Sequence, residues 1–115
     1  MPMLKWSRAI LTLANDTPIQ TLAWMFQYLP WPAACKVGQK TTAVGVTEAI
    51  FSGSQTIQET SVIQVVATVG VTPSELNTAF TYWKAAAGDF LKILNTNTTA
   101  GTLTVDGVIV VEPAF

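Results

Sequence analysis

The sequence predicts a mainly β protein with two short helices, an antiparallel β-sandwich or barrel-like single domain over residues 1–115. Three observations carry this expectation. Val, Ile and Thr dominate long stretches of the middle and end of the chain, and these residues suit a pleated, half-buried surface. Asp106-Gly107 separates TLTV from VIVV, a strong hairpin signal because both residues tolerate the positive φ of a tight turn. A Thr-Pro helix start occurs twice, at Thr17-Pro18 with Gln20 and at Thr72-Pro73 with Glu75. In that pattern Thr caps an orphan amide, Pro fills a position needing no N–H, and Gln or Glu reaches back to the cap.

The elements follow in order. Residues 4–14 (LKWSRAILTLA) read as a strand, ended by Asn15-Asp16. A first helix is expected from Pro18 to about Tyr28, stopping before Pro30, with Ile19, Leu22, Ala23, Phe26 and Leu29 on one face. Trp24, Met25 and Tyr28 fall off that face, so this helix is apolar nearly all round and needs cover from the fold or a neighbouring subunit. Residues 41–51 read as a strand ending at a Ser52-Gly53-Ser54 turn. Residues 60–71 read as a strand covered on both faces, being apolar on both parities from Val62 to Val69. A second helix is expected from Pro73 to near Ala86, with Leu76, Phe80 and Trp83 inward. The chain then turns at Gly88-Asp89 into a strand over residues 90–94. A polar loop over 95–101 leads to paired strands at 102–105 and 108–112, making a three-strand meander of the tail.

Composition narrows the function classes. Half of the residues are hydrophobic, 11% are charged and the mean hydropathy is +0.40. Ordinary soluble domains carry roughly 25% charged residues. Such a chain is expected to bury apolar surface against other chains, which favours an oligomer. The six Lys and Arg are scattered (Lys5, Arg8, Lys36, Lys40, Lys84, Lys92), which argues against specific nucleic-acid binding. No apolar run approaches the ~18 residues of a spanning helix. The start of the chain lacks the form of a signal peptide, so synthesis and use in the cytoplasm of the producing cell are expected.

Candidate chemistry is sparse. The sequence has no His, removing the commonest general base and metal ligand, and Cys35 is its single cysteine, read as a buried apolar side chain. Asp16, Glu75, Asp89 and Asp106 are explained by caps and turns. Glu48, Glu59 and Glu112 remain, and no spacing joins them into a catalytic pair. Ser52, Ser54 and Ser61 have no activating partner, and no phosphate-cradling glycine loop is present. No enzyme, metal or cofactor is therefore expected. The aromatic cluster Trp24, Phe26, Tyr28 and Trp31, punctuated by Pro30 and Pro32, reads either as core packing or as a subunit contact. With Phe115 these residues form the candidate interface. A base-stacking platform would need cations interleaved with the rings.

One stretch resembles a known family. In AAAGDFLKILNTNTTAGTLTVDG, Gly88, Asp89, Phe90, Leu91, Ile93, Asn95 and Thr96, followed by Leu103, Thr104 and Val105, are similar to the C-terminal hairpins of small tailed-phage head decoration or cement proteins. The resemblance covers about a fifth of the chain and leaves the N-terminal half unmatched. It implies a non-enzymatic virion protein, assembled in the host cytoplasm, that bridges major capsid protein subunits and associates with copies of itself, a trimer at three-fold points being one such form. The alternatives are another virion subunit (tail tube, neck or small capsid protein) or a membrane-peripheral or partner-binding module using residues 22–31.

Overall fold

Alternating inward and outward side chains make all but one of the regular elements strands, among the described residues. A computed structural model of the chain describes residues 2–66, 70–76 and 78–114. In order, these form β1 (Met3–Ile10), β2 (Asn15–Asp16), α1 (Pro18–Thr21), β3 (Ala33–Thr41), β4 (Val46–Ser52), β5 (Gln55–Val62), β6 (Phe80–Ala85), β7 (Leu91–Asn97) and β8 (Leu103–Pro113). They pair into two antiparallel four-stranded sheets, β1-β8-β3-β6 and β2-β7-β4-β5. The mainly β, single-domain architecture expected from the sequence is present.

The sheets pack face to face because β1, β3, β4, β7 and β8 turn apolar residues inward. Cys35 and Val37 of β3 and Ile109 and Val111 of β8 meet Ile50 of β4 and Leu91 and Ile93 of β7 in the larger core cluster. A smaller cluster joins Ile10, Val46, Ile63 and Val105. Among them lies a belt of polar side chains. Trp6 Nε1 donates to Gln39 Oε1 (3.2 Å), and Gln39 and Asn95 exchange amide hydrogen bonds of 2.9 and 2.8 Å. Gln39 Nε2 also donates to Glu48, whose other oxygen accepts from Gln58 Nε2 (3.1 Å).

Several sequence expectations are overturned. Asp106-Gly107 is no turn: β8 runs straight through it. Gly107 stands opposite both Trp6 and Gln39, and a Cβ there would lie 2.2 Å from Trp6 Cε2, so this glycine makes room for an indole. The tail is no meander either, since β7 and β8 belong to different sheets and the segment between them crosses from one to the other.

The first helix is a single turn. Thr17 makes no side-chain cap bond, and Gln20 donates to the Leu91 carbonyl (2.8 Å) instead of reaching back to the cap. Among the described residues of 73–86 there is no second helix. Residues 80–85 form β6, Glu75 binds Lys36 and Tyr82 (2.7 Å), and Leu76, expected inward, is 99% exposed. β3 (Ala33–Thr41), a central strand, forms where the sequence predicts no element before Thr41. The doubly covered strand expected over 60–71 is not formed as such: only residues 60–62 are strand, as the largely exposed end of β5, which stops at Val62; Ala67, Thr68 and Val69 lie outside the described residues.

Candidate interaction surface

One end of the sandwich is a tip of three loops, residues 11–14, 42–45 and 98–102. Local chemistry ties them together. Asn97, fully buried at the end of β7, donates through Nδ2 to the carbonyls of Ile10 (3.0 Å) and Gly101 (2.7 Å). Its Oδ1 accepts from the amide (2.9 Å) and hydroxyl (2.7 Å) of Thr99. Thr98 donates from its amide and its hydroxyl to the Gly45 carbonyl (2.9 and 2.7 Å). Thr12 Oγ1 donates to the Ala100 carbonyl (3.0 Å), and the Asn97 amide donates to the Ala14 carbonyl (2.9 Å). Gly45 has φ +130°, and a Cβ there would lie 2.1 Å from Thr99 Cγ2.

This rigid end presents apolar side chains. Leu11, Leu13 and Val44 are 67%, 72% and 73% exposed, and the three loops contain no charged residue. Leu13 is held at φ +55°, the left-handed region that costs a branched side chain energy. The carbonyls of Leu11, Ala14, Ala43, Gly45, Ala100 and Gly101 are already hydrogen-bonded, so a partner can cover these six without orphaning them.

The opposite end carries the aromatic segment, at the start of β3 and β7. It is fastened by backbone bonds from Leu29 N to Asp89 O (3.1 Å), Gly88 N to Leu29 O (2.7 Å) and Leu91 N to Gln27 O (2.8 Å). Trp24 and Phe26 meet edge to face at 5.4 Å, and Phe26 and Trp31 lie 5.7 Å apart. These three rings are half-buried, and both tryptophans pack on the main core. Tyr28 leaves that group and stacks on Phe90 at 4.8 Å, largely exposed. Phe115 lies outside the described residues. The structure therefore brings together Trp24, Phe26 and Trp31 and sets Tyr28 apart. Beside them Met25, not singled out from the sequence, is 79% exposed, with Leu22 partly so.

Elsewhere, two titratable groups are shifted by their surroundings. Burial raises the Glu48 carboxyl above the usual carboxylate range, opposed by the hydrogen bonds from Gln39 and Gln58. Burial, aided by the charge of Asp89, pushes the Cys35 thiol up to about 11. Among the described residues no group of three or more His, Cys, Asp or Glu could hold a metal ion. No helix among the described residues is long and apolar enough to cross a membrane.

The fold and its two apolar ends define a mainly β protein with surfaces suited to contact. No protein-family model matches the chain, and no curated protein or solved structure matches it either.

Proposed function

We propose that the protein is a non-enzymatic virion structural subunit, a capsid decoration, cement or minor capsid protein that stabilises a shell by bridging its subunits. The supporting observation is the pair of apolar ends. The uncharged loop tip with Leu11, Leu13 and Val44 stands at one end, and the exposed Leu22, Met25 and Tyr28 at the other. A rigid body with two such ends can bury area against two neighbours at once, and the second contact, being intramolecular in effect, tightens the first. The phage-like pattern over residues 88–105 favours a shell of the tailed-phage kind, with the major capsid protein and further copies of this chain as partners.

The test compares shells carrying the parent protein with shells offered a Leu13→Ser/Val44→Ser variant. Parent-bound shells survive a higher temperature, whereas the variant dissociates and leaves shells at the heat resistance of undecorated ones. Equal heat resistance with and without the bound parent protein overturns the cement reading.

The exposure of Met25 and Tyr28 also favours a second reading, a partner- or membrane-binding module acting through residues 22–31. Flotation with neutral liposomes that is lost in Met25→Ser/Tyr28→Ser would select it.

A further inference from the structure

Lys40 is the largest fully buried side chain of the described residues, at 0% exposure, and it lies on the outer side of β3, away from the inter-sheet core. It stands directly across from Asp106 of β8 in the antiparallel register. Nζ lies 3.8 Å from Asp106 Oδ2, beyond hydrogen-bond length, and the Asp106 side chain is 3% exposed. Oδ2 accepts the amide of Gly70 at 3.0 Å. Oδ1 is buried and accepts no hydrogen bond among the described residues. An amine and a carboxyl group thus face each other between the two central strands of one sheet, out of reach of water, with one carboxyl oxygen polarised and the other bare.

We propose that Lys40 and Asp106 condense into an intramolecular isopeptide bond. The step needs no external reactant. A proton passes from Nζ to Oδ1, and the freed amine lone pair attacks Cγ. Negative charge then develops on Oδ2, where the Gly70 amide already points. The Cγ–Oδ1 bond breaks, and Oδ1 leaves as water with the first proton and a second one from Nζ. An ammonium and a carboxylate become one neutral amide and one water. The driving force is the removal of two charges whose desolvation burdens the folded state. Proximity replaces the entropy cost of bringing the two groups together. The product is a covalent rung across β3 and β8. This inference stands whether or not the protein belongs to a virion.

The intact mass of the purified, denatured protein tests it. The parent chain is expected one water lighter than its sequence mass, and proteolysis is expected to release a branched peptide joining residues 40 and 106. Lys40→Arg retains a buried cation but cannot form this amide, so that variant has the full sequence mass. A parent protein of unshifted mass overturns the proposal. So does a one-water loss that persists in Lys40→Arg, because attack by the Gly107 amide on Asp106 also releases one water and gives a succinimide. If Lys40→Arg does not fold, the parent's own peptides decide: a branched 40–106 peptide supports the bond, and a linear succinimide peptide overturns it.

Discussion

Gly107 illustrates how a residue's meaning depends on what lies across from it. Next to Asp106 it signals a turn, yet its φ is not positive, and its missing side chain admits the Trp6 ring between two strands. Gly107→Ala is expected to destabilise the protein by about 2 kcal/mol through overpacking, measured by denaturant unfolding. Leu13→Gly is expected to do the reverse of what core mutations do. It relieves a left-handed φ and removes little buried area, leaving stability within about 1 kcal/mol of the parent, while the docking proposed for the tip is lost. Glu48 sets a pH dependence. Its folded carboxyl titrates above its unfolded value near 4.5, so its favourable contribution is full below that value and is lost as pH rises through the folded pKa. Thermal scans from pH 4 to pH 8 should show this decline in the parent and a flatter profile in Glu48→Gln. None of these roles is visible locally: Lys40 and Asp106, or Trp6 and Gly107, acquire meaning only once distant strands are paired.

At the scale of elements, β character was legible wherever Val, Ile and Thr alternate or run together. It identified β1, β4 and β7, the turn at Gly53, and the strand character of both halves of β8 though not their continuity. It failed for β3, because Lys36, Gly38, Gln39 and Lys40 interrupt the apolar pattern of Ala33, Cys35 and Val37. The strand is nonetheless central, since one face supplies the core and the other holds the Lys40–Asp106 pair. The helix starts misled because a capping pattern is a local preference that tertiary pairing overrides: Phe80–Ala85 gains more by pairing with β3 than by continuing a helix. The aromatic cluster was recognisable, but the loop tip was not, because its three segments converge only after the sheets pack. Asn97 is the joint of that tip, and Asn97→Ala removes both buried donors and an acceptor. A loss of about 2–4 kcal/mol is expected by denaturant unfolding, with amide exchange rising at residues 98–102.

For the whole molecule, β1 and β8 pair in register from Met3↔Val110 to Ile10↔Leu103, so nearly the full chain must be present before that sheet is complete. Refolding on the slow side for this length, milliseconds to seconds, is the expected kinetic signature. Cys35 reports on the same cooperativity. Buried in the core with its thiol pushed up to about 11, it should resist aromatic disulfide reagents at pH 8 until the protein unfolds globally. Labelling rates that follow the unfolding free energy across denaturant would show this; rapid native-state labelling would contradict it.

The two register shifts along β4–β5 have a consequence for crowding. A straight, uncharged outer strand invites copies to zip together into fibrils, and β5 carries a single charge, Glu59, and no proline. Its bulges bend this outer edge out of line, which disfavours extension of the ladder by a neighbour. Many copies can therefore sit side by side at high local concentration and remain separate folded units.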